Sequence, residues 1–228
     1  MTPAYWASQA WMWTNDEPEH FRLGRSLGEE MLACILGGHG IPAEVGLAAY
    51  ERVRVRYATE PAALADPELV ERLLAEPLTV AGRLVRYRFA RQKAGYVAAA
   101  VRDLADVDDG LEDRALRDRI VGIRGFGPKT ASWVVRNWRG SDEVAILDIH
   151  ILRAGALLGI FPDGWRVDRH YAQIEQAYLD FARDLGVRAS VLDSVMWMTM
   201  RGLPAARRPK PDGPAPRRRR AAEPQLAL

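Results

Sequence analysis

The sequence predicts an all-α protein in which two helical lobes share a cleft. Apolar residues recur at helical spacing along most of the chain, as at Val97, Ala100, Val101 and Leu104. Residues 144–147 form the single short run with β character. A hydrophobic content of 48% in 228 residues is sufficient for one large core or for two smaller lobes.

Capping residues and glycines predict where individual helices begin and end. Ser26 and Glu29 form a capping-box pattern that opens a helix, and the glycine-rich residues 37–40 end it. Asp66 followed by Pro67 predicts the start of another helix. These local signals support a chain that is helical nearly throughout.

Composition divides the chain into three parts. Residues 1–20 are rich in tryptophan but lack clear periodicity, and they are predicted to form an irregular arm packed on the body. Residues 21–204 form the main domain. Residues 205–228 are rich in Arg, Pro and Ala, lack the apolar content to fold and are predicted to be a disordered tail.

The basic charge is concentrated in this tail. It holds seven basic and two acidic residues, a net charge of +5, whereas the remaining residues hold 25 basic and 28 acidic groups, a net charge of −3. The body is therefore not a uniformly basic nucleic-acid binder, and any such site must be a local patch, which the tail could assist.

Several classes of protein are excluded or disfavoured. The chain has no run of 18 apolar residues that would cross a membrane, and its start lacks the pattern of a signal peptide. The single cysteine, Cys34, rules out an internal disulfide, a four-cysteine iron–sulfur cluster and a cysteine-rich zinc site. We expect a cytoplasmic protein with no metal and no cofactor.

Lysine is rare in this chain, since Lys93, Lys129 and Lys210 are the only lysines among 32 basic residues. Arginine is always protonated, whereas a lysine amine can lose its proton and act as a nucleophile. A lysine kept in such an arginine-rich chain is therefore a candidate for a chemical role.

Residues 114–137 are predicted to form a helical hairpin. Gly125, Phe126 and Gly127 make the turn between its two helices, and the second helix begins near Pro128. Backbone N–H groups at such a helix N-terminus can bind a DNA phosphate, with Gly125, Phe126, Gly127 and Thr130 as candidates. An ordinary turn between two helices is the alternative interpretation.

Lys129 and Asp148 are the candidate catalytic residues. The positive end of the helix dipole disfavours a cation at Lys129, which suits an amine that must be deprotonated. Asp148 follows an apolar run and is predicted to cap the next helix, so its carboxylate would be ionised and fixed in direction. The alternatives are a solvated lysine and an aspartate that only caps.

Two stretches carry a resemblance to a known family. They are Gly125-Phe126-Gly127-Pro128-Lys129-Thr130-Ala131-Ser132 and Ala145-Ile146-Leu147-Asp148-Ile149-His150-Ile151-Leu152-Arg153. Together they resemble the helix-hairpin-helix DNA glycosylases, and among these the archaeal-type branch of the 8-oxoguanine DNA glycosylase/AP lyases. Weaker similarity at Lys93 and around Leu192-Asp193 extends the resemblance over residues 20–203.

The resemblance implies an enzyme that flips a modified base, 8-oxoguanine, out of double-stranded DNA and excises it. Lys129 would attack C1′ of the sugar and form a Schiff base, and strand cleavage by β-elimination could follow. Asp148 would stabilise the positive charge that builds on the sugar. The family leads us to expect a monomer that needs no metal or organic cofactor.

Four further residues are candidates for contact with the base or with the space it leaves. His39 occupies a loop position where relatives place a residue that fills the gap in the DNA stack. Trp133, Met196 and Trp197 are candidates for the wall of the base pocket. Core packing is the alternative for these three, and a plain turn residue is the alternative for His39.

Two departures from the family pattern leave the substrate open at this stage. Trp133 stands where relatives have a smaller or polar residue, and the loop around His39 is richer in glycine. A larger base, such as a hypermodified pyrimidine in phage DNA, is therefore an alternative substrate, and would make the protein an antiphage enzyme. A non-catalytic DNA-binding module is the alternative from another class.

Overall fold

The computed structural model describes residues 1–15, 22–38, 40–162 and 164–203. Ten α-helices and one β-hairpin account for most of this part of the chain. The helices are α1 (Pro3–Asn15), α2 (Leu27–Leu36), α3 (Ala43–Thr59), α4 (Pro67–Ala75), α5 (Ala90–Asp103), α6 (Asp113–Val121), α7 (Pro128–Arg139), α8 (Ile149–Leu158), α9 (Val167–Asp184) and α10 (Ala189–Gly202). Strands β1 (Leu78–Val80) and β2 (Arg83–Val85) pair antiparallel.

The local capping signals in the sequence are confirmed. The Ser26 hydroxyl accepts a hydrogen bond from the Glu29 N–H at 3.2 Å, and α2 ends immediately before Gly37. The Glu29 carboxylate accepts from the N–H of Arg25, one residue earlier than an ideal capping box requires. Asp66 caps α4 by accepting from the Glu68 N–H at 2.9 Å.

Two hydrophobic cores give the molecule two lobes. The first core is built by helices α2 to α7 together with the β-hairpin. The second combines α1 from the start of the chain with α8, α9 and α10. The predicted all-α architecture with two lobes is therefore confirmed. Helix α7, which carries Lys129, belongs to the first lobe, and Asp148 precedes α8, the first helix of the chain after α7, which belongs to the second lobe.

Buried polar contacts join the two lobes. Arg117 of α6 donates to both carboxylate oxygens of Glu175 of α9, at 3.1 and 2.9 Å. Arg136 of α7 donates to the carboxylate of Asp193 of α10 at 3.2 Å. Because these charged groups are almost entirely buried, each must keep its partner, which fixes α7 relative to the second lobe.

The prediction of an irregular arm over residues 1–20 is wrong. Residues 3–15 form the regular helix α1, and residues 16–20 lie outside the described part of the chain. Trp6 and Ala10, one helical turn apart, are both buried in the second core. Contact with α10 stabilises α1, and the sequence pattern does not show this contact. The arm is packed on the body, as predicted.

The predicted β run is also wrong. Residues 144–147 have no regular secondary structure, whereas the β-hairpin at 78–85 was not predicted. Its turn places Ala81 and Gly82 at positive φ, and Ala81 is a residue type that rarely signals such a turn. The predicted tail, 205–228, lies outside the described residues. No described helix is long and apolar enough to span a bilayer.

Candidate active site

The hairpin is formed by α6, a tight turn and α7, as predicted. Gly125 has φ of +103°, and the Tyr96 ring packs so closely on it that no Cβ atom could fit between them. Only glycine satisfies both constraints. Phe126 is buried in the first core and anchors the turn, while Gly127 is exposed at the start of α7.

The N-terminus of α7 has no side-chain cap. Gly127 is the N-cap residue, and Pro128 occupies the first helical turn. The first N–H groups of a helix lack partners within it, and here that holds for the turn that includes Lys129 and Thr130. These N–H groups, with the positive end of the helix dipole, form the kind of site that binds an anion.

Lys129 lies in a cleft between the hairpin and α9. The cleft has a volume of about 460 Å³ and is lined by Gly127, Pro128, Lys129, Val167, Asp168, Arg169, Tyr171, Ala172 and Gln173. Within the described residues, the Lys129 side chain has no hydrogen bond or ion pair. Lys129 is a half-buried residue, and its side chain therefore remains available to an incoming molecule.

Asp148 caps α8, as predicted. One carboxylate oxygen, Oδ1, accepts from the N–H groups of His150 at 2.7 Å and Ile151 at 3.0 Å. These bonds fix the direction of the carboxylate, and Oδ2 takes part in neither of them. Asp148 is not among the residues that line the Lys129 cleft.

Asp193 of α10 connects the two residues electrostatically. Burial raises the pKa of Asp193 to about 7; Arg136 opposes this shift, Asp148 adds to it and Lys129 opposes it. Both Lys129 and Asp148 therefore lie close enough to act on one buried carboxyl group.

The Trp197 ring lies beside the helix that Asp148 caps. Its centroid is 6.2 Å from that of the His150 ring, in an edge-to-face arrangement. Arg201 lies over the same indole, with its guanidinium carbon 4.8 Å from the ring centroid. Trp197 is 37% exposed, so part of its aromatic surface remains accessible beside the first turn of α8.

The remaining candidates for contact with the base lie in different environments. Met196 is fully buried in the second core, which agrees with core packing rather than an accessible pocket wall. Trp133 packs on Gly37, where a built Cβ would lie 3.2 Å from the indole. His39 lies outside the described residues. The two departures from the family pattern, Trp133 and the glycine-rich loop, are therefore in contact.

Three residues near this site were not among the predicted site residues. Asp193 and Arg136 form the buried pair between the lobes, and Lys93 donates to backbone carbonyls at the end of α2. The rarity of lysine was a usable signal for Lys93. No signal in a single sequence identifies the partner of Arg136, which is 57 residues away.

Comparisons with known proteins agree with the fold. The sequence profile of the family described as "8-oxoguanine DNA glycosylase" matches residues 26–187. An 8-oxoguanine DNA glycosylase/AP lyase of Methanocaldococcus jannaschii is 28% identical over 185 residues, covering 76% of this chain and 80% of the relative.

Solved structures show the same fold. The crystal structure of the M. jannaschii 8-oxoguanine DNA glycosylase has a TM-score of 0.61 and 26% identity, covering 81% of this chain and 85% of that one. The M. jannaschii enzyme in complex with a 15mer DNA containing 8-oxoguanine has a TM-score of 0.60 and 24% identity, covering 88% and 90% of the two chains.

The fold, the hairpin and the match to the profile define a DNA glycosylase of the helix-hairpin-helix class. More particularly, the chain belongs to the 8-oxoguanine DNA glycosylase family. The class expected from the resemblance is thereby confirmed, and the comparisons favour neither the antiphage enzyme nor the non-catalytic module.

Proposed function

We propose that this protein excises 8-oxoguanine from double-stranded DNA, with Lys129 as the nucleophile and Asp148 as the stabilising carboxylate. One observation carries the proposal. The amine of Lys129, which has no hydrogen-bond partner among the described residues, lies in a cleft of about 460 Å³ at the start of α7. Lys129 also interacts electrostatically with the buried carboxyl group of Asp193, and so does Asp148, whose carboxylate is held by the N-terminus of α8.

The chemistry begins with attack of the neutral Lys129 amine on C1′ of the flipped nucleotide. The bond between C1′ and the base breaks, and the base leaves with the bonding electrons and takes up a proton. Positive charge develops on the sugar in the transition state. The ionised carboxylate of Asp148, held by two backbone N–H groups, stabilises that charge without having to reorganise.

A Schiff base then forms between Lys129 and the opened sugar. Loss of a proton from C2′ and departure of the 3′ phosphate would cut the strand by β-elimination, and hydrolysis would release the enzyme. The proposal includes this lyase step because β-elimination proceeds through the same imine between Lys129 and the sugar. The amine supplies the chemistry, so the residues require no metal or cofactor for these steps.

The hairpin turn and Trp197 would place the DNA. N–H groups at the start of α7 bind a backbone phosphate next to the flipped nucleotide, while Gly127 lets that phosphate approach closely. The exposed Trp197 offers a stacking surface for the base near Asp148. The protein acts as a monomer on duplex DNA in this proposal.

The test measures base release and covalent trapping with the full chain. A duplex with a single 8-oxoguanine is incubated with the enzyme, free bases are identified by mass spectrometry, and borohydride is added to trap the imine. We expect 8-oxoguanine to be released and a protein–DNA adduct to form. Lys129→Gln should abolish the adduct and reduce excision by at least about 1,000-fold while DNA binding persists.

Lys210→Gln is the matched control, because it removes one of the other two lysines and should leave trapping unchanged. Persistent trapping in Lys129→Gln contradicts the assignment of the nucleophile. Release of a modified pyrimidine from phage DNA, with no release of 8-oxoguanine, contradicts the proposed substrate. No base released from any DNA would favour the non-catalytic module.

A further inference from the structure

The segment from the β-hairpin through α5 is strongly basic. Residues 77–102 contain no Asp or Glu, and their six basic residues are Arg83, Arg86, Arg88, Arg91, Lys93 and Arg102. Residues 1–204 as a whole carry a net charge of −3. The segment is therefore a local concentration of positive charge in a body that is otherwise slightly acidic, as a nucleic-acid site in this chain requires.

Three of these six cations have a contact within the protein. The ammonium of Lys93 donates to two carbonyl oxygens at the end of α2, at 2.5 and 3.2 Å. The guanidinium of Arg102 donates to the Ala65 carbonyl oxygen at 2.8 Å. The guanidinium carbon of Arg88 lies 5.1 Å from the centroid of the Phe89 ring. These contacts give the three residues a role in holding the first lobe together.

The other three, Arg83, Arg86 and Arg91, form what we call the arginine patch. All three are exposed, and within the described residues their guanidinium groups have no hydrogen bond or ion pair. A neighbouring carboxylate would neutralise much of the field of an exposed arginine, and none is paired with these three. Their charge and their N–H donors therefore remain available to an anionic partner.

One end of the patch borders the hairpin turn. The Tyr96 ring of α5 packs directly on Gly125 of that turn. The side-chain amide of Gln92, one helical turn earlier, donates to the Tyr96 hydroxyl at 3.0 Å. Arg91 precedes Gln92 in the first turn of α5. The patch therefore begins next to the residues that present the uncapped start of α7.

The other end of the patch is held against α2. Tyr87 is buried, and its hydroxyl donates to the Leu36 carbonyl oxygen at 2.6 Å. Side chains of adjacent residues in an extended segment point to opposite sides, so the exposed Arg86 points away from the core that Tyr87 enters. Arg83 lies three residues earlier on β2. The chain that carries the arginines is thus anchored to both the hairpin turn and the end of α2.

We propose that the arginine patch binds the sugar–phosphate backbone of double-stranded DNA beside the phosphate held at the start of α7. The inference rests on the proposed function, in which the hairpin turn determines where the DNA lies. Guanidinium groups suit this role because they can donate two parallel hydrogen bonds to a phosphate. The patch explains how a body with a net negative charge binds a polyanion, and it makes that binding dependent on salt.

The experiment measures DNA binding without relying on catalysis. The full chain is titrated into a fluorescent, undamaged DNA duplex at several salt concentrations, and anisotropy gives the association constant. The triple variant Arg83→Gln, Arg86→Gln, Arg91→Gln should lower the slope of log K against log salt by about two to three units, because each phosphate contact contributes about 0.9. Binding near 0.1 M salt should weaken by about 10- to 100-fold.

Two further triple variants separate the patch from net charge and from folding. Arg54→Gln, Arg56→Gln, Arg183→Gln removes the same three charges, but from ion pairs with acidic residues, and should leave the slope within about half a unit of wild type. Replacement of the three patch arginines by lysine should retain the slope. If the triple Gln variant does not fold, Arg86→Gln and Arg91→Gln should each lower the slope by about one unit.

Excision kinetics add a readout that separates binding from chemistry. With the triple Gln variant of the patch, kcat/KM on a duplex with 8-oxoguanine should fall in parallel with the association constant. Single-turnover excision at saturating enzyme should stay within about 2-fold of wild type, because the patch contacts phosphates and not the reacting atoms.

The outcomes decide the proposal in either direction. An unchanged salt slope in the triple Gln variant of the patch overturns it, and so does an equal loss in the variant of the paired arginines. A larger loss on double-stranded RNA than on DNA of the same sequence would assign the surface to RNA and also overturn it. If the wild-type protein binds DNA but releases no base, the proposed function fails, while the salt slopes still decide what the patch binds.

Discussion

The two lobes hold their parts of the site by different means. In the first lobe, helix α7 is fixed by apolar packing of Ala131, Val134 and Val135, and Lys129 projects from its uncapped end into a cleft. In the second lobe, Asp148 is itself the cap of α8, held by two backbone hydrogen bonds. A nucleophile must move toward the sugar, whereas an electrostatic stabiliser acts best when it is already in place.

The largest expected effect tests the fixed member of this pair. Asp148→Asn should slow single-turnover excision by about 100- to 10,000-fold, because the amide retains the cap but loses the negative charge. The melting temperature should stay close to that of wild type. Asp66→Asn is the matched control, since Asp66 also caps a helix, α4 of the first lobe, and its excision rate should be unchanged. Equal rates for both variants would remove Asp148 from the mechanism.

The next effect concerns the joint that keeps the lobes in register. Arg136→Met leaves the buried Asp193 without its cation and should destabilise the protein by about 3–5 kcal/mol, measured by urea unfolding. Arg183→Met, which removes an exposed ion pair with Asp180, should change stability by less than about 0.5 kcal/mol. Similar losses in the two variants would show that the buried joint is unimportant.

A smaller effect is expected at the accessible aromatic surface of the second lobe. Trp197→Ala should reduce kcat/KM for excision by about 5- to 150-fold, the equivalent of about 1–3 kcal/mol of base stacking. Trp11→Ala, on the exposed face of α1, is the control and should retain full activity. A normal kcat/KM in Trp197→Ala would exclude Trp197 from the base pocket.

The smallest effect is a change in the pH dependence of stability. The pKa of Asp193 is raised to about 7, above an unfolded value of about 4, so its contribution is present at acid pH and is lost as the pH rises through 7. Asp193→Asn should therefore lose less stability than wild type between pH 5 and pH 8, measured by urea unfolding at both values. An identical loss would mean that Asp193 keeps an ordinary pKa in the folded protein.

The sequence by itself determined the features that depend on neighbouring residues. The helix caps at Ser26, Asp66 and Asp148 each involve hydrogen bonds across two or three residues. Gly125 likewise marks a turn that few other residues can make. Because the hairpin and the cap are local, the sequence alone placed Lys129 at the start of one helix and Asp148 at the start of another.

Only the tertiary structure decided which distant groups meet. Lys93 reaches a carbonyl 58 residues away, and Asn137 donates to Glu30 across 107 residues. Helix α1 likewise depends on burial of Trp6 against α10 rather than on its own periodicity. A buried polar group needs a hydrogen-bond partner, but many residues in the chain could chemically serve as that partner. The folded chain therefore decides which residues pair, and the local sequence pattern does not.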